Sequence, residues 1–318
     1  MSIQQLQDLL LPAPLAGITN EPFRLLLKEI GAKVTWTEMI SADGLERKQD
    51  KTYKIASIRK ESPIIVAQLF GSSPETIFKA ANILVQHFGY EYIDINLGCP
   101  AKKIVKKGAG VKLMDNPETV KKIFNLLRKL PATIFAKIRK GTTKNNSNYL
   151  EIINILYNEG VNGVTIHPRA GNEFFQGKAD WECIRIVKER FPKLFIIGNG
   201  DVENYQDAMN MKRITGCNAV MVGRAMAKNP FLMENPNLSQ NENFERKIPL
   251  QEKIEIFKTL LYCIMEFYNE KISLNLAKKY LILFTKSYKN SGKLRRDIIK
   301  IKNCIEILQY LMYWEENN

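Results

Sequence analysis

An α/β fold, a (β/α)8 TIM barrel followed by a small all-α helical bundle, is predicted by three observations. Eight short apolar runs rich in β-branched residues recur about every thirty residues over roughly the first 230. Amphipathic stretches of helical spacing separate them. Beyond Phe231 the strand-like runs stop and only helical patterns follow. The runs are LLLPAPLAG (9–17), AKVTWTEM (32–39), PIIVAQLF (63–70), YIDINLG (92–98), TIFAKIR (133–139), GVTIH (163–167), LFIIGNG (194–200) and AVMVGR (219–224). Their near-continuous apolarity suits parallel strands buried on both faces.

Between the strands, PETIFKAANILVQHFG (74–89) places Ile77, Ala80, Ala81, Leu84 and Phe88 on one helical face. NPETVKKIFNLLRKL (116–130) repeats the pattern, with Asn116 as N-cap and Pro117 at the first helical position. Gly31, Gly89 and Gly160 follow helical stretches where a left-handed cap is wanted. A doubly wound sheet uses the same alternation, but the count of eight and the lack of GxGxxG after the first strand favour the barrel. The expected organisation is a barrel over 1–235, an Asn-rich linker over 236–249 and a helical domain over 250–318. The last is read as three helices, LQEKIEIFKTLLYCIMEFYNE, LNLAKKYLILFTKSYKN and LRRDIIKIKNCIEILQYLMYWEE.

The 318 residues are 45% hydrophobic and 25% charged, which excludes wholesale disorder and leaves room for a large core. The five cysteines, at 99, 183, 217, 263 and 304, form no CxxC motif and no disulfide framework is expected. With no basic leader and no apolar run of about 20 residues, a soluble cytoplasmic protein is expected. The net charge of +14 is ambiguous as a total, because a Lys-, Asn- and Ile-rich chain can reflect codon bias. Its placement is more informative. Lys271 to Lys302 holds ten basic residues against Asp297 alone, a local +9 suited to a phosphate backbone.

In a barrel the chemistry sits at the C-terminal ends of the strands. Here those ends are polar. They carry Pro14-Leu15-Ala16-Gly17, Glu38, Gln68, Asn96-Leu97-Gly98-Cys99-Pro100, Lys137 with Arg139, His167 with Arg169, Asn199-Gly200-Asp201, and Gly223-Arg224. Asp201 alone could be a helix N-cap. The glycine-flanked ends of the last two strands occupy the usual phosphate position of the fold, where Arg224 would add a charge-assisted contact. A phosphorylated cofactor or substrate is therefore indicated.

Strand alternation turns Lys137 inward, with Ile134, Ala136 and Ile138 toward the helices. A lysine there either holds an electron-rich ring or oxyanion, or forms a Schiff base with a carbonyl. His87 reads as a C-terminal-turn residue of its helix, and two distant histidines give no metal signature. Cys99 is the strongest single candidate, in a loop with Lys102, Lys103, Lys106, Lys107 and Lys112. A thiol can carry a proton near neutrality and surrender it to a carbanion-like centre, whereas nearby lysines favour the thiolate. The other cysteines read as packing residues.

PLAGITNEPFR (14–24), VAQLFGSSPE (66–75), DINLGCPAKKIVKKGAG (94–110), AKIRKG (136–141), TIHPRAGNEFFQGKADW (165–181), GNGDV (198–202) and MVGRA (221–225) resemble tRNA-dihydrouridine synthases of bacterial type. The resemblance runs from about Pro14 to Phe231. It implies an FMN-bearing barrel that reduces the C5–C6 double bond of selected tRNA uridines, with NADPH (or NADH) as electron donor. Pro14, Leu15, Ala16, Gln68, Lys137, His167, Asn199, Gly200, Asp201, Gly223 and Arg224 would contact FMN. Lys137 would lie by the polar edge of the isoalloxazine, and the Asn199–Asp201 and Gly223–Arg224 segments by the ribityl phosphate. Cys99 would be the general acid that protonates uracil C5 after hydride passes from flavin N5 to C6.

The substrate contacts expected are Asn96, Arg139 and Arg169 at the strand ends, Lys102 and Lys106 beside Cys99, and Lys278, Lys279, Lys286, Arg295 and Arg296 in the basic run. Tyr280 and Tyr288 are interleaved there, or pack between helices. The partner implied is tRNA, with no membrane and no DNA, and a monomer is expected. Three positions depart from the family pattern: Leu15 where Met is common, Pro168 where Gly is usual, and Thr142 where Trp is often found. They bear on the loop near the phosphate and on the uridine pocket. A flavin barrel acting on a free metabolite is disfavoured by the basic bundle, and an RNA chaperone without chemistry by the intact Cys99, Lys137 and His167.

Overall fold

The computed structural model describes residues 3–58, 64–234, 236–239, 246–286, 288 and 291–316. Strands β1 (Leu10–Pro12), β2 (Val34–Trp36), β4 (Ile64–Phe70), β5 (Tyr92–Leu97), β6 (Thr133–Arg139), β7 (Gly163–His167), β8 (Phe195–Asn199) and β9 (Ala219–Val222) form the barrel. Every ladder is parallel, in the order β1-β9-β8-β7-β6-β5-β4-β2, and β1 packs beside β2 to bring the ring near closure. Each of the eight apolar runs contains one strand. One short strand escaped the periodicity: β3 (Ile40–Ser41) pairs with the upper end of β4, too brief to show an alternation.

Side-chain alternation divides the barrel into two chemistries. Leu11, Val34, Trp36, Val66, Tyr92, Phe135, Phe195, Ile197, Ala219 and Met221 fill the lower interior as one apolar cluster. One step further along the same strands, the inward positions become Gln68, Asp94, Lys137, Thr165 and Asn199. Ile134, Ala136 and Ile138 belong instead to the cluster between sheet and helices, as the alternation requires. The apolar plug closes one end, so chemistry is confined to the other.

The helix over Pro117–Leu127 starts as the sequence indicates, with Asn116 Oδ1 accepting from Thr119 N at 3.1 Å. Gly31, Gly89 and Gly160 all take positive φ at helix ends. His87 is the C-cap of Pro74–Gln86 and its ring packs edge-on with Phe88.

The C-terminal part differs from the sequence expectation in one respect. It has four helices, Leu250–Phe267, Glu270–Thr285, Ser291–Lys300 and Cys304–Glu316, because the third expected helix breaks at Ile301–Asn303. Asn303 Oδ1 accepts from Glu306 N at 2.8 Å while the Glu306 side chain accepts from Lys302 N, a reciprocal cap that restarts the chain as a new helix. Residues 240–245 of the expected linker lie outside the described residues. Its first part is packed on the barrel: Leu238 is buried, and Leu10 N donates to Pro236 O at 2.6 Å.

Barrel and helices share one core. Phe23 stacks on Tyr280 with ring centroids 5.2 Å apart, and the Tyr280 hydroxyl donates to Ile18 O. Aromatic pairing of this kind adds about 0.5–1.5 kcal/mol beyond burial. No described helix is long and apolar enough to cross a membrane.

Candidate active site

The polar strand ends open into a cavity of ≈ 540 Å³. Pro14, Leu15, Ala16, Gln68, Asn96, Cys99, Lys137, Arg139, His167, Asn199, Gly200, Asp201, Gly223 and Arg224 all line it. Seven strand ends thus converge residues that lie as far apart in the chain as Pro14 and Arg224.

At the centre, Lys137 is half-buried and its Nζ donates to Asn199 Oδ1 at 3.1 Å. Asn199 Nδ2 in turn donates to Met221 O at 2.7 Å, which fixes the amide with its oxygen toward the lysine. Burial pushes the Lys137 ammonium below its usual range, the charge of Asp94 opposes that, and Arg139 adds to it. His167 is buried beside it. Burial, then the positive charges of Lys137, Arg139, Arg169 and Arg224, hold its imidazole down at about 2, so the ring is neutral. Its Nδ1 is buried with no hydrogen-bond partner.

Cys99 stands at the rim, partly exposed and unpaired with any other cysteine. The turn that carries it is built from β5 outward. Asn96 Oδ1 accepts from Gly98 N at 3.2 Å and from Cys99 N at 2.9 Å, and Val111 N donates to Cys99 O at 3.1 Å. Gly110 makes that return possible. It has φ +64, and a Cβ there would lie 2.5 Å from Cys99 O. Cys183, Cys217 and Cys304 are buried, as packing residues should be.

At the opposite end, Gly200 has φ +113 and Asp201 φ +53, so the chain after β8 folds tightly across the mouth. Asp201 is not an N-cap; that place belongs to Asn204, which accepts from Asp207 N. Asp201 instead receives Arg169 Nη2 at 2.7 and 2.6 Å and Ala179 N at 2.7 Å, with Arg224 Nη2 at 3.4 Å. Partial burial opposes its ionisation, but the Arg169 and Ala179 hydrogen bonds outweigh it and lower the carboxyl pKa.

The assigned substrate residues divide by what they bond. Asn96 is occupied at both ends of its amide, by Gln68 and by the Cys99 turn. Arg139 donates to Ala170 O and Phe174 O, and Arg169 to Gln176 O and Gly177 O, so both guanidiniums tie down the loop after β7. Arg169 does not reach the cavity. Lys102 and Lys106 are exposed outside it. In the helices, Lys278 donates to Ile299 O, Lys279 to Gly17 O and Arg295 to Thr285 O. Lys286 and Arg296 are exposed. Tyr280 packs in the core and Tyr288 donates to Ile248 O.

Sequence reasoning passed over several residues. Asp94 is fully buried behind Gln68, and its signal was present: alternation in YIDINLG sends it inward with Asn96. Phe175 is 52% exposed at the rim, with Arg224 4.6 Å from its ring centre and His167 edge-on. Lys253 lines the far end, brought there by the helices, and no local pattern marks it; Tyr288, expected in the basic run or between helices, lines the cavity beside it. Of the three departures, Thr142 donates to Asp115 Oδ1 at 2.7 Å, and Pro168 lies behind Gly200. Among the described residues, no cluster of His, Cys, Asp and Glu could hold a metal.

Comparison with known proteins supplies the remaining observation. The family model "Dihydrouridine synthase (Dus)" matches residues 11–315. A "tRNA-dihydrouridine synthase B" of Pasteurella multocida is 34% identical over 281 residues, covering 87% of this chain and 83% of its own. That of Salmonella typhimurium is 32% identical over 316 residues, 98% of each chain. A "Probable tRNA-dihydrouridine synthase" of Rickettsia prowazekii is 31% identical over 300 residues, 93% of this chain and 90% of its own.

Proposed function

The chain belongs to the dihydrouridine synthase family, and from that premise we propose that it reduces the C5–C6 double bond of selected uridines in tRNA to 5,6-dihydrouridine. The cofactor on this reading is FMN and the electron donor NADPH or NADH. The observation that carries the reading is the meeting of Cys99, Lys137, His167 and the Asn199–Asp201 and Gly223–Arg224 segments on one cavity.

The residues present fit a flavin nucleotide. The cavity has the volume of a medium-sized ligand. Its wall offers a buried imidazole nitrogen lacking a partner and a half-buried ammonium, both suited to a polar ring. Its far end is backbone-rich at Gly200 and Gly223, with Arg224 beside it, which suits a phosphate. Gln68, Lys137 and His167 would hold the ring and the two glycine segments the phosphate. FMN, when bound, supplies two-electron reducing chemistry.

Reducing the C5–C6 bond adds a hydride at C6 and leaves enolate-like charge between C5 and the adjacent carbonyl. A proton must then reach C5. Cys99 presents a thiol at the rim and delivers that proton, while the Asn96 side-chain oxygen and the loop hold its backbone rigid. Lys137 sets a positive charge against the negative charge that reduction brings into the cavity. His167, being neutral, accepts or donates a hydrogen bond without adding charge. A uridine must leave its stack to reach this depth, and exposed lysines of the helices, with Arg296, grip the surrounding backbone.

The test is direct. Purified protein given FMN is expected to show flavin absorbance and, with NADPH, to form dihydrouridine in tRNA from cells lacking the enzyme. Protein that takes up no flavin, or dihydrouridine patterns unchanged between deleted and complemented cells, overturns the proposal.

A further inference from the structure

Asp94 is fully buried in β5, two residues before Asn96 and behind the cavity wall, where the proposed reaction makes no use of it. A carboxylate in such a place is strongly disfavoured unless it is bonded and balanced. Its Oδ2 accepts from Gln68 Nε2 at 2.7 Å, and its Oδ1 is buried with no hydrogen-bond partner.

The links that follow have a direction. Gly98 N and Cys99 N can only donate, so Asn96 turns its oxygen to them and its amino group to Gln68 Oε1, 3.0 Å away. Gln68 must then turn its own amino group to Asp94. With backbone donors at one end and a carboxylate at the other, no other orientation of the two amides leaves every link a donor–acceptor pair. The chain ends one atom from the Cys99 Cα. Asp94 also faces Lys137: burial drives the ammonium's pKa down, and the carboxylate's charge is the largest influence raising it again. Burial likewise raises the Asp94 pKa, opposed by the Gln68 hydrogen bond and by Lys137.

We infer that Asp94 is a positioning residue of the reaction, which orients Gln68 and Asn96 and thereby the backbone turn that aims Cys99 into the cavity. The inference rests on the reading of Cys99 as proton donor. Without an acceptor at position 94, Gln68 Nε2 is left buried without its partner, the Gln68 side chain loosens, and with it the Asn96 amide and the register of the thiol. The charge of Asp94 does a separate service for Lys137.

Two substitutions separate these effects. Asp94→Leu removes acceptor and charge while keeping the branched shape with somewhat larger bulk, whereas Asp94→Asn keeps an acceptor for Gln68 and removes only the charge. The first readout is the rate of Cys99 alkylation by iodoacetamide, followed at the Cys99 peptide, in protein free of flavin and tRNA. Asp94→Leu is expected to change that rate by about fivefold or more and Asp94→Asn to restore most of it. In the loaded enzyme, Asp94→Leu lowers kcat by about tenfold or more with KM for tRNA within about twofold, because proton delivery and not binding is disturbed.

A cycle with Gln68→Met checks the route. Once Gln68 is cut out, adding Asp94→Leu changes the alkylation rate no further. Wild-type alkylation and kcat in Asp94→Leu, with only the melting temperature lowered, overturn the inference, as do additive effects in the double variant. If Asp94→Leu does not fold, the comparison moves to the other pair. Gln68→Met altered and Asp94→Asn near wild type supports the relay, and equal disturbance by both overturns it. The alkylation arm requires neither flavin nor RNA, so failure of the proposed reaction is told apart from failure of the relay.

Discussion

The ammonium of Lys279 donates to the backbone carbonyl of Gly17, 2.7 Å away and 262 residues earlier in the chain. A charge expected to meet nucleic acid therefore holds the helices against the first strand-end loop of the barrel. Lys278 and Arg295 are similarly bound to carbonyls, while Lys271, Lys286, Lys293, Arg296, Lys300 and Lys302 remain exposed.

This division predicts two phenotypes within one basic run. Lys279→Met is expected to lower stability by about 1 kcal/mol, read as a drop in melting temperature. Lys293→Ala with Arg296→Ala should leave the melt unchanged and weaken tRNA binding, flattening its log–log salt dependence by roughly one unit for each phosphate no longer neutralised. A salt slope that responds only to Lys279 would refute the sorting.

Cys99→Ala removes the thiol and little else, since the turn is held through main-chain groups. Flavin binding should stay within about twofold, and turnover on tRNA should fall by roughly 10²–10⁴, the usual worth of a general acid. Wild-type turnover would take the thiol out of the mechanism.

Gly110→Ala puts a methyl group 2.5 Å from Cys99 O at a φ of +64. The strain is expected to cost about 1–3 kcal/mol and to displace the turn. Calorimetry reads the first effect. The second appears as lost activity at temperatures where the variant is still folded, and full activity there would show that the turn tolerates the shift.

His167 makes folding sensitive to acid. Its imidazole stays neutral in the folded protein, because burial and surrounding cations depress its pKa, while the unfolded chain binds a proton below about 6.5. A depressed folded value means that this contribution is present above about pH 6.5 and lost as the pH falls below it. From pH 6.5 to 5 the loss approaches about 2 kcal/mol, at 1.36 per pH unit. Denaturant melts of His167→Gln should show a correspondingly smaller loss over that interval, and an identical loss would exclude the imidazole as its source.

The strands were legible because parallel strands buried on both faces must be apolar along their length, as TIFAKIR and GVTIH show by coinciding with β6 and β7. The site was legible where alternation and strand ends dictate placement, as for Lys137, Gln68 and Asn199. What periodicity could not show is which partner each side chain takes. Arg139 and Arg169 look alike in the sequence; both tie down a loop in the structure, and of the two Arg139 alone also lines the cavity. Asp94 carries an inward alternation, yet its link to Cys99 depends on two intervening amides from different strands. Lys253 and Tyr288 reach the cavity only because the helices dock there, a long-range packing event with no local trace.

The apolar plug formed by Trp36, Phe135 and their neighbours leaves the barrel, among the described residues, with a doorway at the strand ends. On the proposed reading, a nicotinamide and an extruded uracil both enter the same ≈ 540 Å³ cavity through it and compete for one place. On that reading the reductant would leave before the RNA base enters. Initial-rate measurements varying both substrates should give parallel double-reciprocal lines, and excess reductant should slow the reaction by occupying the doorway when the base is due.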